Sequence, residues 1–159
     1  MSDLTNHTQK YFNKNVLHDY LVAFENLTPA NLETDLAPLL AEDIFFKDPF
    51  NAVTGRQATL NIFKHMFATT EAPKFKVISY AADGLDEQVG LLYWVFDFKL
   101  PANHTPVKIE GMSRVTFNPA GLVQSHIDYW DAGEQVYAKV PLLGWGIRQV
   151  IKRLSANQT

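Results

Sequence analysis

The chain contains no cysteine in its 159 residues. Disulfide bonds, cysteine-ligated zinc and thiol catalysis are therefore excluded. The absence of cysteine is also compatible with a reducing compartment. The first seven residues are mostly polar and no apolar leader follows them, so we expect a cytoplasmic protein.

Long apolar runs and blocks of like charge are missing as well. No stretch approaches the ~20 apolar residues that a membrane-spanning helix needs, so we expect no transmembrane segment. The chain has 14 basic and 17 acidic residues and a formal net charge of −3. Its one local basic cluster is Arg148, Lys152 and Arg153. This distribution lacks the electrostatic footprint of a nucleic-acid-binding protein.

The length of 159 residues favours one domain, and a composition of 47% hydrophobic and 19% charged residues allows a real core. The first half of the chain shows helical periodicity. Four-residue spacing of apolar side chains predicts a helix over residues 11–26. Thr28 is predicted to cap a second helix over 29–40, and Pro49 ends a short strand over 44–48. A third helix over 57–68 is predicted to turn Phe63 and Phe67 inward.

The second half reads as four strands joined by short turns, over residues 75–81, 89–100, 106–118 and 122–131. Aromatic and β-branched residues are frequent in them, and short connections imply antiparallel neighbours. Along the third of these strands, one face is apolar apart from Ser113. Helices followed by an antiparallel sheet predict an α+β domain with helices on one face of the sheet. Two helical segments, over 133–138 and 142–154, are predicted to end the chain.

The last of these strands carries the most informative pattern. Side chains alternate along a strand, so His126, Asp128 and Trp130 share one face. Burying an imidazole and a carboxylate is costly unless each finds a partner. We therefore expect both groups to look into a hollow beneath the N-terminal helices. The alternative is a satisfied buried pair that fixes the end of the sheet.

The order of elements resembles a known superfamily: two helices, a strand ending in Asp48 and Pro49, Gly55, a helix with Phe63, and four strands. The last hairpin, residues 117–123 (FNPAGLV), also fits. The chain is similar to the superfamily of SnoaL-like proteins, ketosteroid isomerases and nuclear transport factor 2. This resemblance implies a cone-shaped, cystatin-like α+β fold with an internal pocket. It also implies a single domain over 1–159, with a core of about residues 10–131 and a C-terminal helical extension over 132–159.

The resemblance also suggests roles for individual residues. Asp48 stands where ketosteroid isomerases have their general base, and Tyr20 stands where they have an oxyanion donor. The second donor, a protonated Asp in the isomerases, is replaced by Ser113. The polar last strand is more like that of the SnoaL-type cyclases, and it argues against steroid isomerisation.

The candidate site follows from these patterns. Asp48 could be a base or a turn residue, Tyr20 a hydrogen-bond donor or a core tyrosine, and the aromatic side chains ligand contacts or core. A set of Asp48, His126 and Asp128 could bind a metal, but no motif requires it, and we expect no metal and no cofactor. The catalytic candidates are Asp48, His126, Asp128 and Tyr20. The ligand-binding candidates are Phe46, Phe63, Phe67, Trp94, Phe96, Ser113 and Trp130.

These residues predict a pocket for a small apolar organic molecule. The leading interpretation is a cofactor-independent isomerase, cyclase or lyase acting on an apolar carbonyl compound. The alternative is a non-catalytic ligand-binding or protein-interaction module of the same fold. The resemblance further implies a homodimer through the outer sheet face, where Glu110 and Arg114 would pair. The C-terminal helix could be a lid, a brace or a membrane-surface contact.

Overall fold

The computed structural model describes residues 14–82, 88–139 and 143–155. Within these ranges the chain forms a six-stranded sheet in the order β2-β1-β6-β5-β4-β3. All neighbouring strands are antiparallel except β1 and β6, which run parallel. The strands are β1 (Leu40–Lys47), β2 (Ala52–Thr54), β3 (Glu71–Ala82), β4 (Val89–Lys99), β5 (Pro106–Phe117) and β6 (Val123–Tyr129).

Two helices from the first half of the chain cover one face of this curved sheet. They are α1 (Lys14–Glu25) and α2 (Arg56–Thr69). Their apolar sides enter the core through residues such as Phe24 and Phe63, which meet Trp94, Phe96 and Val115 of the sheet. The arrangement is an open cone, so the predicted α+β class and cone-shaped fold are confirmed.

The alternation predicted along β5 is also present in the structure. Ile109, Ser113 and Val115 are buried, whereas Lys108 and Arg114 on the opposite face are exposed. The sheet therefore has one face toward the helices and one toward solvent, as is usual for antiparallel sheets.

The region between α1 and β1 differs from the prediction. In place of a helix over 29–40, the chain forms a π-helical turn (Leu32–Leu36) and a 3₁₀ turn (Ala37–Leu39). The Thr28 amide donates to the Asn31 side chain, and the Asn31 amide donates back to the Thr28 carbonyl. Pro38 then lacks the amide hydrogen that a continuing α-helix would use.

Several element boundaries also differ from those predicted. β1 begins at Leu40, earlier than the predicted start at residue 44, and the short β2 was not predicted. Residues 11–13 of the first predicted helix lie outside the described residues, as does residue 142 at the start of the last one. The chain ends in α3 (Ala132–Gln135), a 3₁₀ turn (Tyr137–Lys139) and α4 (Leu143–Leu154).

Gly111 in β5 allows a close approach that positions the site. A Cβ atom placed there would lie 2.6 Å from the indole ring of Trp94 on β4. Trp94 therefore packs directly against the backbone of the neighbouring strand. From this position its indole nitrogen reaches Ser113, also on β5.

Candidate functional site

A cavity of about 630 Å³ lies between the two N-terminal helices and the concave face of the sheet. Its wall is mostly aromatic and aliphatic, as is typical of small-molecule sites. The aromatic residues that line it are Phe24, Phe46, Phe50, Phe63, Phe75, Trp94, Phe96, Phe98 and Trp130. Polar groups also line it: Asp48, Asn51, Asn61, His65, Thr69, Thr70 and Asp128.

Asp128 on β6 is the polar group with the most extensive buried support. Its Oδ1 atom lies 2.8 Å from Nε2 of His126 and accepts a 2.5 Å hydrogen bond from Oγ of Ser113. The Asp128 side chain is 12% exposed and lines the cavity. Among the described residues, no side chain or amide is hydrogen-bonded to its Oδ2 atom. One carboxylate oxygen is thus held by the protein, and the other is available to a molecule in the cavity.

His126 lies behind this carboxylate and is fully buried. Its ring stacks between Phe24 and Phe46, with ring centroids 5.4 Å and 5.3 Å apart. With Asp128 ionised, the carboxylate only accepts hydrogen bonds, so Nε2 of His126 donates to it, and in the neutral imidazole Nδ1 then accepts. His126 is not among the residues that line the cavity, so the expectation that both groups look into the hollow holds for Asp128 only.

Tyr20 on α1 completes this side of the network. Its hydroxyl lies 2.7 Å from Nδ1 of His126 and donates to it in the tautomer described above. Burial, together with the negative charge of Asp128, raises the pKa of Tyr20 well above its ordinary value. The phenol therefore stays protonated and keeps its role as a donor. Tyr20 does not line the cavity, so its hydroxyl acts on the site through His126.

On the other side, Ser113 links Asp128 to Trp94. The indole nitrogen of Trp94 donates to Oγ of Ser113 at 2.7 Å, and the serine hydroxyl donates to Asp128. Among the described residues, no buried side-chain nitrogen or oxygen lacks a partner. Five residues from four elements thus form two chains of hydrogen-bond donors, one from Tyr20 and one from Trp94, that meet at the carboxylate of Asp128.

Asp48 lines the same cavity but has different partners. Its Oδ1 atom accepts from the backbone amides of Phe50 and Asn51, at 2.7 and 2.6 Å. The side-chain amide of Asn51 also reaches both carboxylate oxygens. This is the turn geometry that the sequence left open as the alternative to a base.

The structure brings most of the predicted residues to the cavity, but not all. Asp48, Asp128, Phe46, Phe63, Trp94, Phe96 and Trp130 line it. Tyr20, His126 and Ser113 lie behind Asp128. Phe67 is partly buried and packs against the hydrophobic core, outside the lining.

Several lining residues were not among the predicted site residues. Ile62, His65, Met66 and Thr69 form one face of α2 at three- and four-residue spacing, and all line the cavity. Of these, His65 is exposed and also borders the cavity. Applied to polar as well as apolar residues, the helical periodicity would have identified this face.

The described part of the chain contains no group of three or more His, Asp or Glu side chains placed to hold a metal ion. None of its helices combines the length and the apolar character needed to cross a bilayer.

The fold is similar to solved structures of low sequence identity. One is a protein from Catenulispora acidiphila DSM 44928 with a ketosteroid isomerase-like fold, solved in complex with trimethylamine. The comparison gives a TM-score of 0.64 at 16% sequence identity and covers 79% of this chain and 91% of that one. A Mycobacterium tuberculosis protein in complex with estradiol-17β-hemisuccinate gives a TM-score of 0.60 at 13% identity, with 74% and 92% coverage.

A third structure, an epoxide hydrolase of M. tuberculosis similar to LEH, gives a TM-score of 0.60 at 16% identity and covers 89% of this chain and 92% of that one. A search among curated proteins finds no significant match. The family model of the SnoaL-like domain matches residues 20–126, which is more than half of the sequence and runs from Tyr20 to His126. The chain therefore belongs to the SnoaL-like domain family.

Proposed function

We propose that the cavity binds a small, mostly apolar carbonyl compound and that Asp128 removes a proton from the carbon next to its carbonyl group. One observation carries this proposal: Asp128 is the lining carboxylate that has one oxygen fixed by a buried network and the other without a hydrogen bond from any residue that the structure describes. The enzyme would then be an isomerase, cyclase or lyase that needs no cofactor.

The lining of the cavity favours an uncharged substrate. No Lys or Arg is among the described residues that border it, and two carboxylates are. An anionic ligand would therefore meet repulsion with no compensating cation. The aromatic rings offer a large apolar surface to a flat or cyclic molecule.

The network behind Asp128 would fix the position of the base. Ser113 and His126 both hold Oδ1, which leaves Oδ2 to receive the substrate proton. Tyr20 and Ser113 already donate their hydroxyl hydrogens to His126 and Asp128, so we assign them positioning roles in place of the oxyanion roles that the resemblance implied. Preorganised support of this kind avoids reorganisation during the reaction.

The comparisons support this proposal at the level of the fold. Proteins of this shape include one solved with an estradiol derivative and one named as an epoxide hydrolase. The fold therefore occurs both in a protein solved with a steroid derivative and in an enzyme. We also retain, as predictions, a cytoplasmic location and a homodimer through the outer sheet face. Glu110, which would pair with Arg114 across that interface, pairs with Lys108 and Tyr93 within the single chain.

Hydrogen–deuterium exchange tests the proposed proton transfer without knowledge of the natural substrate. A panel of cyclic and aromatic ketones would be incubated with the protein in D₂O, and loss of the α-hydrogen signal followed by NMR. We expect catalysed exchange with at least one ketone, and a reduction of about 100-fold or more in Asp128→Asn, the usual scale for a lost general base.

Asp48→Asn is the matched control, because it makes the same change in a second lining carboxylate. We expect it to keep most of the exchange activity. Loss of exchange in Asp48→Asn with retention in Asp128→Asn would transfer the role of base to Asp48 and overturn the assignment.

A second candidate function is ligand binding without catalysis. The complete satisfaction of the buried network favours it, since a rigid, fully paired wall also suits a binding protein. Ketone binding that quenches the fluorescence of Trp94 and Trp130, with no exchange above the buffer rate, would identify a binding protein.

A further inference from the structure

The C-terminal helix α4 presents an unusual apolar stripe to solvent. Leu143, Ile147, Val150, Ile151 and Leu154 follow the spacing of a single helix face. Leu143, Val150 and Leu154 are 50%, 57% and 82% exposed. Scattered exposed aliphatic side chains are normal, but a continuous stripe along twelve residues is typical of an interaction surface.

A different face attaches α4 to the rest of the protein. A Cβ on Gly144 would overlap the Ala138 carbonyl, so the helix packs closely against the 3₁₀ turn there. The guanidinium of Arg148 donates to the same carbonyl at 2.9 Å. The attachment therefore uses the Gly144 and Arg148 side of the helix. Of the aliphatic stripe, Leu143, Val150, Ile151 and Leu154 stay exposed and Ile147 is half-buried.

The charge of this segment is entirely positive. Residues 135–159 contain Lys139, Arg148, Lys152 and Arg153 and no Asp or Glu, although the whole chain has a net charge of −3. At 100° of rotation per residue, Arg148 and Arg153 fall on opposite sides of the stripe, and Lys152 falls on the far face. Long basic side chains in these positions can keep their charges in water while the aliphatic groups are buried.

We propose that α4 is a docking helix for an anionic lipid bilayer, lying parallel to its surface with the aliphatic stripe at the acyl boundary. A charge of one sign suits a surface of continuous negative charge. Two copies of α4 facing each other would instead repel. The stripe is convex and aliphatic and extends over about 18 Å, a shape that suits a fluid interface more than a protein groove.

The location of α4 connects this docking to the cavity. The helix rests on the turn Tyr137–Lys139, and the ring of Tyr137 lies 6.1 Å from that of Phe50, which borders the cavity. Val136, directly before this turn, also lines the cavity. The short segment of Val136 and the turn Tyr137–Lys139 therefore connects α4, and any bilayer that it contacts, to the cavity wall. Apolar compounds concentrate in bilayers, so this contact would hold the cavity close to a store of such compounds.

Co-sedimentation of the full chain with vesicles tests the proposal. We expect binding to vesicles of mixed phosphatidylglycerol and phosphatidylcholine, weak binding to phosphatidylcholine alone, and loss of binding in high salt. The double variant Lys152→Glu/Arg153→Glu should bind about tenfold or more weakly, since each basic residue near an anionic surface contributes on the scale of a several-fold change. Val150→Asp/Leu154→Asp should lose binding to a similar extent.

The matched control is Lys74→Glu/Lys76→Glu, which makes the same charge change at two exposed positions of β3. It should bind like the wild type. Equal binding by the α4 and β3 charge variants, or no binding of the wild type to anionic vesicles, would overturn the proposal. So would light scattering that shows a dimer in the wild type and a monomer in Val150→Asp/Leu154→Asp, because a second copy would then cover the stripe.

Discussion

The site contains two aspartates, and their hydrogen-bond partners give them different roles. Asp48 follows a strand and accepts hydrogen bonds from the local amides of Phe50 and Asn51. Asp128 lies within a strand and is held by Ser113 and His126. The sequence predicts both as acids near a pocket. It does not separate them, because the network that holds Asp128 extends through His126 to Tyr20, which lies 106 positions before His126 in the chain.

Tyr20 provides a test of the buried network through pH. Its pKa is raised in the folded state, so above pH 10 the unfolded chain loses a proton that the native protein retains. Unfolding is then favoured by rising pH, and the stabilising contribution, complete below pH 10, is lost as the pH climbs toward the folded pKa. The free energy of unfolding, measured by urea denaturation from about pH 9 upward, should fall more steeply in the wild type than in Tyr20→Phe.

The same variant has a cost at neutral pH. Removal of the hydroxyl leaves Nδ1 of His126 buried without its partner, which should reduce stability by ~1–3 kcal/mol. If the free energy of unfolding fell equally steeply with pH in the wild type and in Tyr20→Phe above pH 10, the phenol would not be buried beside Asp128.

At the scale of elements, the packing of the Trp94 side chain of β4 against β5 depends on one glycine. The indole of Trp94 occupies the space next to Gly111, where any Cβ would lie 2.6 Å from it. Gly111→Ala should displace the indole from Ser113 and destabilise the protein by ~1–3 kcal/mol, as overpacked core positions do. Urea denaturation and the tryptophan emission spectrum would measure both effects.

Gly146 in α4 supplies the control, since nothing lies within 4 Å of a Cβ placed there. Gly146→Ala should cost no stability, because alanine favours a helix over glycine by ~0.5–1 kcal/mol. If Gly111→Ala were as harmless as Gly146→Ala, Trp94 would have room to move and would not be a fixed part of the site.

The elements differ in how well the sequence predicts them. β5 is predictable because its side chains alternate over the whole strand, so the period alone assigns Ser113 to the inner face. The turns at Leu32–Leu36 and Ala37–Leu39 are not predictable, because an apolar stripe of leucines fits an α-helix equally well. The alternation also does not predict which inner residues border the cavity. Ser113 and Ile109 share a face of β5, but of the two only Ile109 lines the cavity.

At the scale of the whole molecule, the chain consists of a family core and an appended helix. The SnoaL-like match ends at residue 126, whereas α4 begins at Leu143. The matched residues supply most of the cavity wall and of the buried network, and Asp128, Trp130 and Val136, which follow the match, complete the site. The helix has an exposed aliphatic stripe and all of its charges are positive. The sequence resemblance predicted the core and left the role of the extension open among lid, brace and surface contact.

A truncated chain that ends at Lys139 separates these roles. Its loss of α4 removes the exposed hydrogen bond from Arg148 to Ala138 and the packing of Gly144, the one buried residue among those of α4 that the structure describes. Because most α4 side chains are exposed, little apolar area is lost, and the free energy of unfolding should fall by less than ~1 kcal/mol. A fall of several kcal/mol would make α4 a brace. A change in ketone affinity in the absence of vesicles would make it a lid. Unchanged stability and ketone affinity, with vesicle binding abolished, would leave membrane docking as the role of the helix.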